Sequence, residues 1–157
     1  MFSACKNEER VEEDITPINW KERTTIIKQA DSLNYGSSYL AVYSEIYSVT
    51  EHRTINLTAT VSLRNISSTD TIFITKSDYF NTEGNLIRSY LKEPVFLKPL
   101  ETIEIVIDEK DIHGGSGANF IFEWAHPTNS HEPVFDAVMI STSGQQGISF
   151  TTQGIKR

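Results

Sequence analysis

At 157 residues the chain is long enough for one domain with a single core, and its 38% hydrophobic and 22% charged residues describe a globular body, not a disordered one. Its 21 acidic side chains outnumber 14 Lys and Arg for a net charge of −7, so no cationic excess is left to neutralise the phosphates of a nucleic acid. No apolar run is long enough to form a membrane-spanning helix.

Residues 1–32 are predominantly polar and are expected to form a lipoprotein-like terminus and tether, with a single domain over residues 33–157. The only cysteine is Cys5, which excludes an intrachain disulfide. Phe2-Ser3-Ala4-Cys5 resembles the end of a bacterial lipoprotein signal, where small residues precede the cysteine that receives lipid and becomes the mature N-terminus. Phe2 stands where Leu is commoner, and the charged and apolar regions of a full signal do not precede it, so an upstream start or a trimmed signal is expected. The following Lys6-Asn7-Glu8-Glu9 is similar to short acidic surface-export signals of some Bacteroidota lipoproteins, and the acidic block continues through Glu12, Glu13 and Asp14 as a solvated spacer. Its scattered apolar residues, Ile18, Trp20, Ile26, Ile27, Ala30 and Leu33, lack a strong period, and the tryptophan of Pro17-Ile18-Asn19-Trp20 is the one that could dock on the domain.

Beyond residue 34 the pattern changes to period two. Residues 39–47 are expected to supply the first strand, with Tyr39, Tyr43 and Tyr47 on one parity. From 55 to 64 every odd position is apolar and every even one polar, the pattern of a strand with one face on a core and the other in water. The turn-rich 65–70 leads to a strand over 71–80, and the Gly-containing 81–85 joins it to 86–91 as an antiparallel hairpin. Short strands follow at 95–97 and 103–107, separated by Lys98-Pro99-Leu100-Glu101. In residues 119–124, Phe120, Phe122 and Trp124 share one face, which predicts a central strand with an aromatic core stripe. Segments 134–140 and 147–152 complete the set around the turn at 141–146.

Many short strands with turns between them, and no sustained helical period, predict an all-β fold. The arrangement expected is an antiparallel immunoglobulin-like β-sandwich of about seven to nine strands; a small β-barrel is the alternative, because alternation fixes the buried face without fixing how the sheet closes.

Four segments together resemble the bacterial family called domain of unknown function 3124: Tyr39-Leu40-Ala41-Val42-Tyr43-Ser44-Glu45-Ile46-Tyr47, Ser77-Asp78-Tyr79-Phe80-Asn81-Thr82-Glu83-Gly84, Gly114-Gly115-Ser116-Gly117-Ala118-Asn119-Phe120 and Gly144-Gln145-Gln146-Gly147-Ile148-Ser149-Phe150. The resemblance spans about residues 33–153. It implies an exported protein and carries no catalytic residue across.

The richest polar stretch is 108–119, with Asp108, Glu109, Asp111, His113 and three glycines. With the second glycine-rich turn it gives the candidate binding loop: Asp111, His113, Ser116, Asn119, Gln145 and Gln146. A phosphate loop is disfavoured because no Gly-Lys-Ser/Thr ending and no following helical pattern are present. Asp108, Glu109, Asp111 and His113 have the donor types for a divalent cation, which makes a metal-dependent hydrolase on this loop one alternative. A Ser116, His113, Asp111 triad is disfavoured by the crowding of all three on one loop and the lack of a Gly-x-Ser-x-Gly elbow. His52, His126 and His131 show no ligand spacing and read as exposed loop histidines. The tyrosines read first as sheet-face fillers and second as the surface of a carbohydrate-binding module.

The leading expectation is therefore a non-catalytic binding or scaffolding domain of the bacterial cell envelope, with no cofactor and no metal centre. Its membrane partner is reached through lipid on Cys5, on the periplasmic or the surface side. A protein or a glycan is the expected second partner.

Overall fold

The computed structural model describes residues 18–28, 32–142, 144 and 147–157. Among these residues twelve strands run β1 (Leu33–Val42), β2 (Glu45–Ser48), β3 (Thr50–Asn56), β4 (Thr58–Arg64), β5 (Ile72–Phe80), β6 (Leu86–Ser89), β7 (Val95–Leu97), β8 (Thr102–Ile107), β9 (Ala118–Pro127), β10 (Val134–Ser141), β11 (Ile148–Gln153) and β12 (Ile155–Lys156). A first 3-10 turn covers Trp20–Arg23 and a second covers Ile112–Gly117.

The strands form two antiparallel sheets that do not close into a barrel. The first has the order β12-β1-β9-β5-β6, with β7 pairing the other half of the same edge of β5; the second has the order β11-β10-β4-β8. Strands β2 and β3 form a separate hairpin. Because β6 and β7 share one lane, the sandwich has nine lanes beside that hairpin. Its centre is immunoglobulin-like: β4 pairs β8 in one sheet and β5 pairs β9 in the other, as the second and fifth, and third and sixth, strands of such a domain do. The ends differ. Here β1 lies beside β9 and β10 beside β4, so the first and late strands have exchanged sheets relative to an immunoglobulin domain.

Alternation explains the core. Leu57, Ala59, Val61 and Leu63 are fully buried, as are Leu40 and Val42 on β1, and Ile103, Ile105 and Ile107 are 2%, 4% and 1% exposed on β8. On β9, Phe120, Phe122 and Trp124 point inward, and the ring contacts Tyr79–Phe120, Phe120–Phe122 and Phe122–Phe135 stack at 4.8, 5.3 and 4.3 Å between centroids. Burying one such ring contributes on the order of 2–3 kcal/mol. A bulge between Ile74 and Lys76 inverts the parity of β5, so Ile72 and Ile74 face the core before it and Ser77 and Tyr79 after it.

Two expected strands are broken. The 39–47 run ends at Val42 and restarts at Glu45, and the 55–64 run is divided at Leu57, whose N–H donates to the Ser44 carbonyl at 2.9 Å. Both breaks serve the β2–β3 hairpin, which leaves the body of the sandwich at this point. The central strand, by contrast, extends past its expected end, and this buries His126 to 4% exposure with Nδ1 donating to the Pro127 carbonyl at 2.8 Å. His126 is therefore not a loop histidine. Trp124 sets a backbone requirement on the neighbouring strand: a Cβ on Gly36 would lie 2.3 Å from the indole, whose Nε1 donates to Ser38 Oγ at 3.0 Å.

Residues 18–28 pack on the domain. Ile18 and Trp20 lie against the core, Thr24 bridges Val95, and Arg23 pairs with Glu101 at 2.8 Å.

Candidate functional site

The second 3-10 turn sits where β1, β5 and β8 end and β9 begins, and the sequence folds it there through its glycines. Gly114 is buried over a pair of hydroxyls, Ser44 Oγ and Tyr79 OH, 2.8 Å apart. A Cβ on Gly114 would stand 2.0 Å from the Tyr79 oxygen and 2.6 Å from Ser44 Oγ, so only glycine admits this approach. Gly115 has φ 71 and turns the chain by a left-handed step. The Gly115 carbonyl accepts from the Ser44 N–H at 3.0 Å, and the Gly114 carbonyl accepts from both the Thr82 N–H and Thr82 Oγ1 at 3.0 Å. Thr82 Oγ1 in turn accepts from the Gly117 N–H at 3.0 Å. The turn is pinned to the β5–β6 hairpin and to the link between β1 and β2.

Above this base lies a surface cluster. Arg88 Nη2 donates to Asp111 Oδ2 at 3.1 Å, Arg88 Nη1 donates to Tyr90 OH at 3.0 Å, and His113 Nδ1 donates to Asp111 Oδ1 at 2.9 Å. The guanidinium also lies over the Tyr90 ring, 5.5 Å from its centroid. Partial burial disfavours the Asp111 carboxylate, but the hydrogen bonds from His113 and Arg88 outweigh it and hold its pKa below the ordinary aspartate range. Burial raises the Tyr79 phenol above its ordinary value, the hydrogen bond with Ser44 offsets part of this, and the charge of Asp111 adds to it.

Of the residues singled out from the sequence, Asp111 and His113 are brought together. Ser116 lies half-buried on the same turn, but among the described residues neither His113 nor Asp111 bonds to it. Asn119 is on β9 opposite Ala41 and Phe80, on the outward face of the first sheet. Cys5, Gln145 and Gln146 lie outside the described residues. The second glycine-rich turn follows β10 at the same end of the sandwich, yet a Cβ on Gly144 would meet nothing within 4 Å and one on Gly147 would meet only the Ser141 carbonyl. Neither described glycine reaches the 3-10 turn.

The donor set for a metal-dependent hydrolase does not assemble. Among the described residues no three His, Cys, Asp or Glu groups converge, because Asp108 and Glu109 are exposed, Asp108 caps the Lys110 N–H at 2.8 Å, and Asp111 is bound to Arg88 and His113. The tyrosines do not form one surface either. Tyr43 is half-buried edge-on to Phe150 at 5.6 Å, Tyr79 is fully buried, and the exposed Tyr35 and Tyr47 stand on different sheets.

Arg88, Ser44 and Thr82 belong to this site without having been legible in the sequence. They come from three separate turns and strands, and no spacing rule links them. Fold and site together define an all-β sandwich domain whose glycine-built end carries a mutually satisfied Arg-Tyr-Asp-His cluster. The chain belongs to the protein family of unknown function DUF3124, whose family model matches residues 35–156. No curated protein and no solved structure matches it.

Proposed function

We propose that the chain is a non-catalytic, lipid-anchored binding or scaffolding domain of the bacterial cell envelope. The observation that carries the reading is Cys5, the only thiol in the sequence, set behind Phe2-Ser3-Ala4 and ahead of an acidic spacer. A single acyl chain holds a protein to a bilayer only marginally, so stable anchoring takes more than one chain or a second contact. The polar cluster at the glycine-built end supports binding over catalysis, since each of its charged groups is already held by another and none is left aimed at a reacting atom. The same end offers a protein or a glycan a rigid rim of hydrogen-bonding groups around Asp111 and His113.

Growth of cells expressing the natural gene with an alkyne-tagged fatty acid tests the anchor. The label should appear on Cys5 and the protein in the membrane fraction, with both lost in Cys5→Ser. Unlabelled protein in the soluble fraction would rule the anchor out.

A further inference from the structure

The end of the sandwich opposite the second 3-10 turn is a built platform. Two turns meet there, residues 65–70 between β4 and β5 and residues 98–101 between β7 and β8. Asn65, 3% exposed, locks them together. Its Nδ2 donates to the carbonyls of Asp70, Leu97 and Lys98 at 2.7, 3.1 and 2.9 Å, and its Oδ1 accepts from the Ser67 N–H at 3.0 Å. Across the same seam the Asn65 N–H donates to the Glu101 carbonyl at 2.9 Å and the Leu100 N–H donates to the Ser67 carbonyl at 3.0 Å.

On this seam two aliphatic side chains stand exposed among polar ones, Ser68 and Thr69 included. Leu100 is 69% exposed and Ile66 47%, with Pro99 and Lys98 exposed beside them. Leu100 also has φ 58, the left-handed region in which an L side chain is strained and glycine or asparagine is relaxed. The leucine is thus held against both its backbone preference and its exposure, on a base too well bonded to yield.

The chain enters the domain at this end. Arg23 pairs with Glu101, the neighbour of Leu100, and Thr24 bridges Val95, so the described chain begins on the Leu100 side. We propose that Leu100, Pro99 and Ile66 form a foot that dips into the headgroup region of a lipid bilayer, so that the anchored domain stands on this end. The proposal rests on the reading of Cys5 as an anchor and supplies the second contact which that anchor needs. Exposed aliphatic groups beside a lysine suit a soft interface, with Lys98 keeping its ammonium in the headgroups. With strands of nine or ten residues between the two ends, Asp111 and His113 are held about 30 Å farther out, facing away from the membrane.

The test couples the full chain through the Cys5 thiol to a maleimide-headgroup lipid in phosphatidylcholine and phosphatidylglycerol vesicles, which sets the anchor chemically whatever the cell does to Cys5. Leu100→Trp is compared with Val49→Trp, a matched probe on the β2–β3 hairpin at the other end, where Val49 is 89% exposed with φ 70. The parent chain, with Trp20 and Trp124, supplies the background. Brominated lipid should quench the added tryptophan at position 100 several-fold more than that at position 49, and its emission should shift to the blue. Ile66→Trp should follow Leu100→Trp without disturbing the strained residue. Equal quenching at positions 100, 66 and 49 would overturn the foot. Absence of acyl label on Cys5 in cells would instead count against the anchor, and the vesicle experiment judges the foot separately.

Discussion

Single residues in this protein are constrained most where an aromatic ring meets backbone. The Trp124 indole lies across Gly36 at distances a Cβ cannot share. Gly36→Ala is therefore expected to lower stability by about 1–3 kcal/mol, the range for overpacking a close-packed core, read as a fall in the urea midpoint at unchanged slope. An unchanged midpoint would mean that the indole moves aside at no cost. The glycines of the 108–119 loop, by contrast, were legible as special, but only the structure shows that Gly114 serves contact with Tyr79 and Ser44 while Gly115 serves a left-handed turn.

At the scale of elements, the second 3-10 turn is held from below by backbone and from above by charge. The sign of its pH dependence follows from Asp111. Its folded pKa is depressed, so the stability it contributes is fully present above the ordinary aspartate range and is lost as pH falls through the folded value. Removal of the guanidinium in Arg88→Ala should raise the Asp111 pKa and destabilise the protein at neutral pH, and the difference from the parent should vanish in acid. Carbon-detected NMR titration of the carboxyl together with chemical unfolding at several pH values checks both, and a pKa that stays put would show that His113 alone holds the carboxylate. The bulge in β5 is another event at this scale. It inverts the facing of that strand after Ile74, which no period-two reading of residues 71–80 anticipates, because a bulge is selected by the partner strand.

For the molecule as a whole, the boundary of the cooperative unit is the question that packing answers. Residues 18–28 read as tether in the sequence for want of periodicity, but Ile18 and Trp20 rest on the core and Arg23 reaches Glu101. Trp20→Ala should cost about 1–2 kcal/mol for a half-buried ring and lower the melting temperature of the entire sandwich in one transition. A melt identical to the parent's would place the lead-in outside the folding unit.

The sequence by itself determined the all-β class, the antiparallel hairpin of β5 and β6, the central place of β9 and most of the buried set, because alternation is a local property that burial enforces residue by residue. It also carried the family likeness and Cys5. Only the tertiary structure decided that the first and late strands exchange sheets and that the strand of 55–64 breaks at Leu57 to release a hairpin. The same holds for Arg88 meeting Asp111 across 23 positions and for Asn65 welding two turns under Leu100. These depend on which distant segments become neighbours, and a pattern of apolar and polar residues records a segment's buried face without recording its neighbour.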